Sequence, residues 1–266
     1  MAGVTEPLLT LSYQQKSEPD VRLQRVTLAC AILAMDAALL LMFRYVIFPM
    51  VSSGAAGMGG LAAAGGMAQR VKAAMFAVGV YTLMSLCIPV ATVLFAGGKM
   101  PRVQNGRPVG RGVRLAAVGI AWVYFAARLA AGVMRLVVLY RQSGGWWPGK
   151  SDWHMQLATF FETASALTLG MLQIAAWIYF ADLAARLRRG AYLTLATIAF
   201  GISVVVTGVI FLGKIEQMAG GWYGADVRSL LGWFGSDVLA CVVHLAFWSV
   251  VAGMLQREPG RMEQLR

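Results

Sequence analysis

The chain has 266 residues, 59% of them hydrophobic and 13% charged, and its mean hydropathy is +0.66. A soluble domain is nearer a quarter charged, and a soluble helical bundle needs polar faces that most of these segments lack. The net charge of +11 would suggest nucleic acid in a soluble protein. Here the basic residues gather at helix ends and no basic run carries stacking aromatics, so the charge reads as topology and anionic headgroups, and nucleic acid is excluded.

These properties predict an all-α fold: a polytopic membrane helix bundle of six transmembrane helices joined by short loops. Residues 1–25 are polar and read as a flexible N-terminal tail. The apolar run that follows is long enough to be a retained span rather than a cleaved signal peptide. The membrane domain covers 26–255, with spans at about 26–51, 71–95, 113–140, 154–181, 191–212 and 229–255, and 256–266 is a short polar tail. Each span has roughly the 20 residues that cross about 30 Å of hydrocarbon.

Span one contains Asp36 and Arg44. The Gly- and Ala-rich stretch 52–70 reads as a flexible loop, with a re-entrant segment as the alternative, because small residues let backbones approach. In span two, Pro89 leaves the carbonyl of Ser85 without its helical donor and predicts a kink. The loop 99–114 is basic and rich in Gly and Pro. Spans three and four are joined by the loop 141–150; the first carries Arg128 and Arg135, the second Glu162. Span five has Gly201 and Gly208 seven apart on one face, the spacing of a packing seam. Span six has Asp237 and His244.

Six spans put both tails on one side. The tails and the loops on that side hold fourteen Lys and Arg, among them Arg102, Arg107, Arg111, Arg186, Arg188 and Arg189, against six on the other. The positive-inside rule then makes both termini cytoplasmic. Tyr45, Trp146, Trp147, Trp153, Trp222, Tyr223 and Trp233 fall toward the opposite face, as an interfacial belt would.

Ionisable side chains inside spans are costly, and they usually face a bundle interior. By helical rise, Arg44 and Arg135 lie roughly 8–10 Å from the non-cytoplasmic ends, Glu162 and Asp237 roughly 12 Å, and Arg128 roughly 18 Å. Asp36 and His244 form a deeper layer. Arg128 and Arg135 share a helix face, as do Asp237 and His244, each pair being seven apart. An Arg–Glu162 pair across the short loop is the safest pairing; one with Asp237 depends on packing.

Three functions fit. The first is transport of a small solute, lipid or ion, with Arg128, Arg135, Glu162, Asp237 and His244 as binding residues. The second is a membrane-embedded enzyme using Glu162, Asp237 or Asp36 as proton donor on an isoprenoid- or sterol-like substrate. The third is a structural or assembly subunit whose charges only pair helices.

No dinucleotide fingerprint, Walker motif, zinc-protease motif or nucleophile elbow is present. Cys30, Cys87 and Cys241 all fall inside spans and read as small buried hydrophobes, not as a metal site or disulfide framework. With only His154 and His244, haem ligation by two histidines is not expected. No cofactor or metal is expected, and the partners are the bilayer and a small-molecule or lipid substrate.

Overall fold

A computed structural model describes residues 21–43, 63–97, 111–143, 153–187, 189–218 and 236–262. The chain is an all-α bundle. Its helices are α1 (Val21–Met42), α2 (Ala63–Met84), α3 (Cys87–Gly97), α4 (Arg111–Ser143), α5 (Trp153–Leu187), α6 (Gly190–Met218) and α7 (Ser236–Met262). Six spans are long and apolar enough to cross a membrane, with α2 and α3 sharing one. This is a multi-pass membrane protein.

The outer surface agrees with that reading. Leu83, Val205 and Leu212 are 71%, 67% and 65% exposed, and large apolar side chains are exposed on every helix. A water-soluble monomer does not carry so much continuous apolar surface. The buried positions are rich in alanine, such as Ala29, Ala121 and Ala196. Small residues let helices approach closely where apolar lipid gives no hydrophobic drive for association.

Span two breaks where its sequence requires. Helical bonding stops at Ser85 and Leu86, one turn before Pro89, whose ring crowds the carbonyl of residue i−4 and offers it no N–H. The amide of Leu86 bonds the carbonyl of Leu83 at 3.0 Å, and the Ser85 hydroxyl donates to the carbonyl of Thr82 at 2.6 Å. The helix begins at Ala63, so the last part of the expected Gly/Ala loop is helical. Its Ala, Met and Gln residues are strong helix formers that outweigh the two glycines. Residues 44–62, with Arg44 and the remainder of that stretch, lie outside the described residues.

The spans form a ring. Each packs against the next in chain order, and α7 closes on α1. Among the described residues no helix makes an extended contact across the ring. Helix axes in contact are about 8–10 Å apart, so a regular ring of six leaves a central space as wide as one further helix. Small residues on the inner wall, including Ala37, Ala117, Ala131 and Ala166, leave that space largely open.

Two features fix the ring locally. The α5–α6 hairpin is tight: Arg189 donates its amide to the carbonyl of Ala184 at 3.0 Å, and α6 starts one residue later. Gly132 of α4 sits against Thr82 of α2, where a Cβ would collide with the threonine hydroxyl. Among the described residues the expected seam at Gly201 and Gly208 does not form, since a Cβ at either would meet none of their atoms within 4 Å.

One end of the ring is closed by packing. Val26 and Cys30 of α1, Leu183 of α5, Tyr192 and Ala196 of α6 and Val251 and Leu255 of α7 form the main apolar core. This end carries the start of α1 and the end of α7, and is called the near end. Above it, Phe95, Phe180, Phe200, Phe247 and Trp248 lie with ring centroids 4.8 to 6.2 Å apart. Edge-to-face and tilted aromatic pairs of this kind add to their area burial.

Candidate functional site: the central cavity

The ring encloses a cavity of about 730 Å³. That is the size of a pocket for a drug-sized ligand. Its floor, at the near end, is the aromatic group, with Phe95, Tyr179, Phe200 and Trp248 on the lining. Its wall carries Asp36, Arg114, Arg128, Arg135, Glu162 and His244.

Arg135 and Glu162 form an ion pair between α4 and α5. The Glu162 side chain is 9% exposed and that of Arg135 49%, so the carboxylate is the buried member. Helix geometry explains the pair. The short connection sets α4 and α5 antiparallel, and Glu162 lies about as far below the start of α5 as Arg135 lies below the end of α4. A second link at this end joins Arg141 and His154, 3.4 Å apart.

Arg128 lies two turns below Arg135 on the same face of α4 and also lines the cavity. Its Nε is buried without a hydrogen-bond partner among the described residues. Tyr124, one turn further down, is within electrostatic reach of both Arg128 and Asp36. The two charge layers expected from depth therefore meet around Tyr124.

Asp36 is 9% exposed. It accepts a hydrogen bond from the Cys87 thiol at the start of α3. Its Oδ1 has no partner among the described residues.

His244 is held from one side. The Ser203 hydroxyl donates to the carbonyl of Ala199 at 2.8 Å and lies 3.0 Å from Nε2 of His244. The Ser203 hydroxyl and Nε2 are within hydrogen-bond distance, with the donor set by the tautomer of the ring. Nδ1 is buried without a partner among the described residues. The ring is nearly parallel to Trp248, at 11° and 6.4 Å between centroids.

Asp237 lies on α7, which packs against α1 and α6 rather than α4. Its side chain is outside the described residues.

Neutral polar residues complete the wall, and sequence reasoning passed over them. Thr207 of α6 donates to Oε1 of Gln173 on α5 at 3.2 Å, and both line the cavity. Thr159, Thr163 and Ser165 of α5 are buried but donate to carbonyls of their own helix. The available signal was Gln173, a side-chain amide in the middle of an apolar span. Cys241 also lines the cavity, whereas Cys30 is fully buried in the near-end core.

Arg114 has a different environment. Its Nη1 donates to the carbonyl of Ala96 at 3.5 Å, at the C-terminal end of α3. A cation there meets the negative end of the helix dipole.

Among the described residues no three His, Cys, Asp or Glu side chains gather closely enough to hold a metal ion. The chain matches no family model, no curated protein and no solved structure.

Proposed function

We propose that this membrane protein transports a small solute, which it binds in the central cavity. One observation carries the reading: a closed ring of spans surrounds a cavity of about 730 Å³ whose wall holds charged and polar side chains. A bundle that needed only to hold itself together would fill its axis with side chains, as packed protein interiors do. The enzyme alternative has less support, because Glu162, its first candidate donor, is held by Arg135. Two further parts belong to the proposal. Both termini face the cytoplasm, on the excess of Lys and Arg at that side. The aromatic floor is then a barrier at the cytoplasmic end.

The native cysteines give the test. A water-soluble thiosulfonate applied to the protein in proteoliposomes should modify Cys241, which lines the cavity, and spare Cys30. Modification should block solute flux, and a Cys241→Ala variant should resist the block. The solute is sought as a compound whose distribution changes when the host lacks the gene. Protection of Cys241 equal to that of Cys30, or an unchanged metabolite and lipid profile, rules the reading out.

A further inference from the structure

Five charged residues among those described line the cavity: Asp36, Arg114, Arg128, Arg135 and Glu162. Three of them are answered inside the protein. Arg135 and Glu162 pair with each other, and Arg114 meets the C-terminal end of α3. Asp36 and Arg128 are different. Neither has an ion-pair partner among the described residues. Each has a buried polar atom, Oδ1 and Nε respectively, with no hydrogen bond among those residues. Arg114 Nε shares that feature, but its Nη1 is bonded to the end of α3. Asp36 and Arg128 have opposite charges and still do not pair. They stand on α1 and α4, two walls separated by the broken span α2–α3. A buried charge without a counter-charge is strongly unfavourable, so a ligand that answers both gains from both.

We propose that the cavity binds a zwitterion with an apolar body, its cationic group on Asp36 and its anionic group on Arg128. This rests on the reading of the cavity as a solute site and names the substrate class. A ligand with one charge answers one wall and leaves the other unpaired, so the two-charge requirement is a selectivity filter as well as a source of affinity. The Asp36 carboxylate lines the cavity and is held by the Cys87 thiol. The apolar body has the aromatic floor of Phe95, Phe200 and Trp248 to pack on.

The test is calorimetric binding to the full chain in lipid nanodiscs, with three probes of one shape. L-phenylalanine carries both charges, phenethylamine only the amine and 3-phenylpropanoate only the carboxylate. The expected result is that phenylalanine binds at least tenfold more tightly than either analogue. Asp36→Asn should weaken phenylalanine and phenethylamine at least tenfold and leave 3-phenylpropanoate unchanged, and Arg128→Gln should weaken phenylalanine and 3-phenylpropanoate at least tenfold and leave phenethylamine unchanged. Asp36→Glu retains the charge and should retain the preference, which keeps the test usable if the neutral variant fails to fold. Lysophosphatidylethanolamine presents the same two charges from a lipid. Its binding in place of phenylalanine supports the same chemistry and assigns the source to the bilayer.

A single-charge analogue that binds within twofold of the best zwitterion overturns the proposal. So does a pair of variants that weaken all three probes alike, or no binding by any of the four. Thiosulfonate labelling of Cys241 in the same nanodiscs separates the two levels. If labelling occurs, the cavity reading stands and only the substrate class fails; if it does not, the cavity reading fails first.

Discussion

Charged residues were the most legible part of this chain, because a lone Arg or Glu stands out in an apolar span. Arg128, Arg135, Glu162, Asp36 and His244 all line one cavity. The neutral partners were not legible, since Gln173, Thr207 and Ser203 cost less to bury and so mark an interior less sharply. The Arg135–Glu162 pair is unequal, with the carboxylate buried and the guanidinium half exposed. Arg135→Gln leaves a buried carboxylate without its cation. The half exposure of Arg135 screens the pair, so the expected loss is about 1–2 kcal/mol rather than the larger value of a fully buried pair. Glu162→Gln leaves an arginine long enough to turn its head to water, and the expected loss is smaller. Melting of the purified variants in detergent checks the order. If Glu162→Gln melts lower, the assignment of the buried partner is wrong.

Among the elements, proline was read correctly because its effect is local. It removes one donor and crowds one turn, and the break at Ser85–Leu86 follows from that chemistry. Glycine was not so readable. Seven-residue spacing at Gly201 and Gly208 marks a helix that could be approached, and says nothing of which helix approaches it. The close contact is at Gly132 instead, where Thr82 occupies the space of the missing Cβ while its hydroxyl donates to the carbonyl of Val78 at 2.8 Å. Gly132→Ala must push α2 away or break that hydrogen bond, and the expected cost is about 1–3 kcal/mol. Thr82→Ala on its own should cost less. The double variant should recover most of the loss, so a double-mutant cycle read by thermal melting should show positive coupling. Additive losses would mean that α2 and α4 do not meet at this pair.

At the scale of the molecule, the number of spans could be read and their arrangement could not. Lipid and bundle interior are both apolar, so these helices carry no strong stripe to say which face is inward. The pairing of Asp237 with the arginines of α4 needed a neighbour relation that only the fold supplies, and α7 turns out to sit between α1 and α6. The ring follows chain order throughout, so every joint but one is between consecutive spans; the exception is α1 with α7, which meet with their outer ends at the same face. A closed circuit of this kind has no privileged starting point. Circular permutation should therefore be tolerated. A chain in which a short linker joins residue 262 to residue 21, opened anew between residues 97 and 111 on the same face, should build the same ring. Its Cys241 should react with thiosulfonate as in the parent, with Cys30 protected. If the permuted chain loses that pattern, the order of insertion into the membrane, rather than the closure of the circuit, selects the structure.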